Sequence, residues 1–248
     1  MSKRQGQLKY TQRGFQQDAE EAMKGDVMRA LIELITNVDD AYNGKGDGQI
    51  EIVFNKSAEP YKGVFIVRDK AGGLNGTRME EAFTNLGDKN QKAMADMGTR
   101  GLFGRGAKDI AALGRARFLA IHGGKFSSLE INSRGEYQMD FFDDAPTEEA
   151  YSDTNLAKGE SGLTAELYVH ERHRIPSASE MIEKLQANVQ LRELINRNEV
   201  TYYDERTKVI KRLEGLAPSG EIVLDLDIPI AKYKLPVHLT IYRLPAKE

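Results

Sequence analysis

Between residues 27 and 42 the apolar positions Leu31, Leu34, Ile35, Val38, Ala41 and Tyr42 recur mostly three and four apart, with polar residues between them. At about 100° per residue this spacing predicts a helix with one apolar side. Residues 15 to 43 read as helical throughout, with Gly25-Asp26 as a break and a cap before the second helix. After that the period changes. Residues 49–54 and 63–68 are rich in Ile, Val and Phe and predict two strands joined by a polar loop. Residues 78–86 return to a helical pattern, 87–104 are polar and glycine-rich, and 106–114 predict a further helix. Strands follow near 117–122, 125–132 and 136–142, joined by glycine-containing turns, and then at 163–170. The polar stretch 143–162 is expected to loop out. Early helices and a later, mixed but largely antiparallel sheet imply an α/β (α+β) two-layer sandwich.

The C-terminal part has a different texture. Ile175-Pro176 closes the first unit, and Ser177-Ala-Ser-Glu180 reads as a capping box opening a helix to about residue 196. Strands are expected at 199–203, 208–213, 221–230 and 235–244. In the third of these, Ile222, Leu224, Leu226 and Ile228 alternate with mostly polar residues, which predicts one buried face. The expected division is 1–174 and 175–248.

Composition narrows the function classes. The chain has 248 residues, 40% hydrophobic and 29% charged, within the range of soluble globular proteins. Its net charge of −3 gives no general attraction to nucleic acid or acidic membranes. It contains no cysteine, which excludes disulfides, thiolate nucleophiles and cysteine-bound zinc. There is no apolar run of membrane-spanning length, so a cytoplasmic location without membrane contact is expected.

Three stretches carry candidate chemistry. Glu33, Asn37 and Asp40 fall within an arc of about 60° on the predicted helix, opposite its apolar side; an exposed amphipathic helix would show the same pattern. Asp69 ends the strand over 63–68 and is followed by Gly72-Gly73. Its carboxylate can turn into a pocket while the backbone passes close to a ligand, or it can simply form a turn. The run from Gly98 to Lys108 is a glycine-rich loop leading into a helix N-terminus, a place that favours phosphate. His122, His170 and His173 show no metal-ligand spacing.

In this order the three stretches resemble the nucleotide-binding boxes of the GHKL ATPase superfamily, which comprises gyrase-type topoisomerases, ninety-kilodalton heat-shock chaperones, histidine kinases and MutL. Glu33-Leu-Ile-Thr-Asn37 with Asp40-Ala41 is similar to the chaperone and MORC form of the first box. Asp69 and Gly73 match the second, with Ala71 where the usual pattern has glycine. Gly101-Leu-Phe-Gly104-Arg-Gly106 matches the third, and Gly162-Leu-Thr164 weakly matches a fourth. The resemblance spans residues 15 to 170.

It implies ATP or ADP with Mg2+ held between helices and sheet. Glu33 would activate water, Asn37 would give an oxygen to Mg2+, and Asp40 would line the pocket beside the base. Asp69 would accept from the exocyclic amine of adenine, over Gly72, Gly73 and Leu74. Gly101, Phe103, Gly104, Arg105 and Gly106 would present N–H groups to the phosphates, Arg100, Arg105 and Lys108 would add positive charge, Asn85, Leu102 and Ala107 would also contact the nucleotide, and Thr164 would lie near the adenine. The implied function is Mg2+-dependent ATP binding and hydrolysis that closes a lid over 87–104 and drives a nucleotide-dependent homodimer. The alternative is a nucleotide-binding regulatory module with little turnover that controls a protein partner. No histidine lies in a helical phosphoacceptor segment, which disfavours a histidine kinase. In this family a transducer domain follows and sends a lysine or arginine to the γ-phosphate, and residues 175–248 resemble its beginning.

Overall fold

The computed structural model describes residues 12–42, 47–56, 60–84, 106–216, 220–229 and 237–243. Two helices open the chain, α1 (Gln12–Met23) and α2 (Val27–Ala41). Between them Gly25 adopts a left-handed backbone (φ 68°), and the Asp26 carboxylate caps α2 by accepting from the Met28 N–H at 2.9 Å. The break and cap lie where the sequence pattern placed them.

The strands are β1 (Gln49–Lys56), β2 (Tyr61–Asp69), β3 (Gly114–His122), β4 (Lys125–Asn132), β5 (Tyr137–Asp144), β6 (Gly162–His170), β7 (Glu199–Asp204) and β8 (Val209–Arg212). They form one eight-stranded sheet in the order β5-β4-β3-β6-β2-β1-β7-β8. Every neighbouring pair is antiparallel except β1 and β7, which run parallel. The fold is therefore mixed α/β with a large, mostly antiparallel sheet. The period of two along the strands decides which side carries the core. Ile50, Ile52 and Phe54, Phe65 and Val67, Phe118 and Ala120, and Ala165 and Leu167 share one buried cluster with Leu31, Leu34, Ile35 and Val38 of α2. On the alternate positions, Leu119 and Ile121 pack with Phe126, Ala150 and Leu156 in a smaller cluster.

The remaining helices are α3 (Gly76–Thr84), α4 (Gly106–Asp109) continued by a 3-10 turn (Ile110–Leu113), α5 (Glu148–Thr154), α6 (Ala178–Ala187) and α7 (Arg192–Arg197). Helix α5 lies inside the stretch expected to loop out. Thr147 caps it by accepting from the Ala150 N–H at 3.1 Å, Glu148 and Glu149 fill its first turn, and Asn155 ends it in a left-handed conformation. The helix expected from 177 to 196 is two helices. Ser177 does cap the first, accepting from the Glu180 N–H. At Asn188 the side-chain oxygen accepts from the N–H groups of Gln190 and Leu191 at 2.9 and 3.3 Å, a local turn that competes with the helix.

The packing boundary falls later than residue 174. The first compact unit runs to Gly215, because β7 pairs in register with β1 from Gln49↔Glu199 to Phe54↔Asp204. The second unit, from Leu216 on, contains an antiparallel hairpin of β9 (Glu221–Ile228) and β10 (Val237–Arg243). Its apolar alternation is as read from the sequence, but Ile222, Leu224, Leu226 and Ile228 stay exposed rather than forming a buried face. Among the described residues no helix is long and apolar enough to cross a membrane.

Because Leu31 is fully buried in α2, Leu31→Ala is expected to cost about 2–5 kcal/mol of stability. Removing the cap with Asp26→Ala should cost about 0.5–2 kcal/mol. Urea unfolding measures both, and each should lower the midpoint at an unchanged slope.

Candidate functional site

Between the polar side of α2, the ends of β2, β3 and β6, and helices α3 and α4 lies an open cleft of about 1780 Å3. This exceeds the roughly 300–1,000 Å3 of a typical small-molecule pocket, so it is a trough with room beyond one ligand. Glu33, Asn37 and Asp40 all line it, as do Asp69, Gly72, Gly73, Leu74, Gly106 and Ala107. Three separate parts of the sequence thus converge on one surface, because α2 packs its apolar side on the sheet and leaves the opposite stripe to the cleft.

Asp69 is the most constrained of these groups. It is the last residue of β2 and only 5% exposed. One carboxylate oxygen accepts from the Ala71 N–H at 2.8 Å and the Leu163 N–H at 3.3 Å. Burial pushes its pKa up from 3.8 to about 6, against the opposing pull of those two N–H groups. The strap that follows is held tightly. Gly73 has φ 65°, and a Cβ there would run into the carbonyl oxygens of Ile121 and Gly162. Gly72 has φ 140°, so the unusual backbone falls on two glycines and not on Ala71, the position where the resemblance was incomplete. The Tyr42 hydroxyl, at the end of α2, accepts from the Lys70 N–H at 2.9 Å and donates to the Gln49 carbonyl at 3.0 Å. It therefore ties the helix end to the strap.

The Glu33 carboxylate lies against Gly106 of α4, where an added Cβ would overlap it, so a side chain at 106 would push the carboxylate aside. Partial burial raises the Glu33 pKa above its ordinary value. One end of the Asn37 amide is buried without a hydrogen-bond partner. Turned about its last torsion, the amide presents its oxygen at the same place, so either a donor or an acceptor is offered to a ligand.

Two expected residues lie elsewhere. Thr164 is fully buried on the opposite side of β6, where its hydroxyl donates to the Thr154 carbonyl at 3.3 Å. Its neighbours Leu163 and Ala165 face the cleft instead, as the strand period requires. Lys108 is only 2% exposed and is not part of the cleft lining, since α4 is a single turn that directs Gly106 and Ala107 to the cleft. Asn85, Arg100, Gly101, Leu102, Phe103, Gly104 and Arg105, with the proposed lid over 87–104, lie outside the described residues.

The cleft also has members that sequence reasoning did not single out. His122, read as an ordinary strand residue, lines it and donates from Nδ1 to the Gly72 carbonyl at 2.8 Å. Phe83 of α3 stacks on Phe118 of β3 with ring centroids 3.9 Å apart, both on the lining. Arg29 stands one helical turn before Glu33 on the same stripe. The spacing of Arg29 was legible in the helix pattern; the roles of His122 and Phe118 depend on strand ends meeting the strap, which no local pattern encodes. No protein-family model matches this sequence, and no curated protein matches it significantly.

Asp69 carries a testable signature. Its folded pKa, about 6, lies above its ordinary 3.8, so folding favours the protonated acid. That contribution is complete below about pH 4 and is lost as pH rises through about 6, leaving an ionised carboxylate that costs roughly 3 kcal/mol at pH 8. Asn keeps an acceptor for the Ala71 and Leu163 N–H groups without the charge. Asp69→Asn should therefore raise the ligand-free melting temperature at pH 8 and confer little or no gain at pH 4. Thermal unfolding at the two pH values checks this, and a uniform loss at both would identify Asp69 as a purely structural turn residue.

Proposed function

We propose that the chain is a GHKL-type ATPase domain that binds an adenine nucleotide with Mg2+ and hydrolyses ATP. The observation that carries this reading is a buried carboxylate, Asp69, at the floor of a cleft whose facing helix presents Glu33, Asn37 and Asp40 in one stripe. A carboxylate kept in a dry site at a cost to stability calls for a ligand that donates to it. The exocyclic amine of adenine does so, whereas guanine offers a carbonyl oxygen at that place and is repelled. Gly73, which has no Cβ to strike the Ile121 and Gly162 carbonyls, lets the strap lie close against the strand ends, where its backbone would border a flat base.

The phosphates would then run along the α2 stripe towards Gly106. Among the described residues no group of three or more His, Asp or Glu side chains forms a metal site. The donor set fits a hard cation that keeps its waters and takes one protein oxygen, from Asn37, with the rest from phosphate. When bound, Mg2+ would neutralise charge developing on the phosphates. Glu33 would orient a water and accept its proton. Its raised pKa brings it closer to the range where a carboxylate serves as a base near neutral pH, and turnover should fall as acid protonates it.

Titration calorimetry with Mg2+-ATP and Mg2+-GTP tests the reading, with a preference of at least about tenfold for ATP expected from one buried polar partner. Glu33→Gln should lower turnover by about 10² or more while ATP affinity stays within a few-fold. Asn37→Ala should instead remove the Mg2+-dependent part of the affinity. Equal affinity for ATP and GTP would overturn the adenine site. Turnover of the parent chain no faster than that of Glu33→Gln would leave a binding module with little hydrolysis.

A further inference from the structure

Asp39 sits between the two halves of the α2 signature and belongs to neither its apolar side nor its cleft stripe. It is 1% exposed. Arg197 grips it in fork fashion, Nε donating to Oδ1 at 3.1 Å and Nη2 to Oδ2. Asn198 adds a donor to the same Oδ1 at 3.0 Å. The Asn198 amide is used at both ends, since its nitrogen also donates to the Leu194 carbonyl and its oxygen accepts from the Gly48 N–H, both at 3.0 Å. The backbone repeats the link, with the Asp47 N–H donating to the Arg197 carbonyl at 2.9 Å and the Glu199 N–H to the Gly48 carbonyl at 2.8 Å.

We propose that Arg197 and Asn198 are positioning residues for the cleft side of α2, so that the segment from α6 to β7 serves the site by holding that helix in rotational register. This deepens the nucleotide reading above and rests on it for its kinetic consequences. A carboxylate in the last turn of a helix opposes the helix dipole, and a buried one is costly unless fully paired. Asp39 has both disadvantages, and what its pairing accomplishes is angular. It lies about 100–160° around the helix from Glu33, Asn37 and Asp40, so clamping it fixes where those three point. With side-chain tips about 5–6 Å from the axis, a rotation of about 10° moves them by roughly 1 Å, a displacement that can cost about 10² in rate. Apolar packing alone tolerates such a rotation more readily than a two-point fork does. The same segment also reaches the cleft directly: Asn188, Val189 and Gln190, between α6 and α7, line it.

The test uses Arg197→Lys, which keeps a cation opposite Asp39 but loses the fork, and the neutral pair Asp39→Asn with Arg197→Gln, in which no buried charge is left unmatched. Both are expected to fold with little change in melting temperature. The side-chain amide resonances of Asn37 should shift, while the methyl resonances of Ile110, Leu113 and Val169 stay in place. Turnover of Mg2+-ATP should fall by at least about tenfold with a smaller change in KM. Unmoved Asn37 resonances with unchanged kcat, alongside lowered stability, would overturn the proposal and make the cluster a structural tie. If the parent chain binds no adenine nucleotide, the nucleotide reading fails; the Asn37 resonances then decide the positioning claim alone, a shift upholding it and no shift overturning it.

Discussion

The burial of Leu31, Leu34, Ile35 and Val38 against the sheet is the contact on which the cleft depends. A helix has one degree of freedom that matters to a site on its side, its rotation about its axis. Four apolar side chains on one face set that rotation to within the tolerance of core packing. The polar stripe then faces the strand ends. Tyr42 and Asp39 refine the same setting from the last turn, one through the Lys70 and Gln49 backbone and the other through Arg197 and Asn198. Helix, strap and the segment around Arg197 and Asn198 are thus tied together by hydrogen bonds.

How much of this could be read from the sequence follows from the range of the interactions. The α2 faces, with Glu33, Asn37 and Asp40 in one stripe, the Asp26 cap and the strands β1 to β4 and β6 rest on local periodicity, and they were legible; that Asp69 joins that stripe was implied only by the resemblance. The parallel pairing of β7 with β1 was not, because nothing in either strand specifies a partner about 150 residues away. Helix α5 was written in Thr147-Glu148-Glu149, an N-cap followed by an acidic first turn, and was hidden by the polarity of the stretch around it. Thr164 was misplaced by one step of the strand period, the error to which assignment by motif is most exposed.

The segment after residue 175 changes meaning once its pairing is known. Its capping box, single expected helix and following strands resembled the beginning of a companion domain. In the structure β7 adds an edge to the main sheet, with β8 beyond it. Buried Asp204, gripped by Arg206 and by the Tyr202 hydroxyl at 3.0 Å, secures that edge from within. The Arg206 guanidinium stacks 4.1 Å from the Phe54 ring of β1, so the cation that neutralises Asp204 also packs on the neighbouring strand. Edge strands invite foreign pairing; the charges Lys211 and Arg212 on exposed β8 oppose it.

The cleft gathers two groups that work against stability: a carboxylate with its pKa raised to about 6 and an amide end with no partner. Neither is needed to close the core, which is apolar and continuous beneath them. The ionised carboxylate and the unpaired amide end each cost on the order of 1–3 kcal/mol, a sizeable part of the margin of a typical domain. Strain spread at random would have no common remedy. Here a single ligand with an amine at one end and a cation-bound anion at the other would satisfy the carboxylate and the amide together. Binding would then relieve part of the cost, so the bound state should gain more rigidity than the contact area alone implies. Under the proposed function, that coupling would give the site a means of changing the protein as well as holding a ligand.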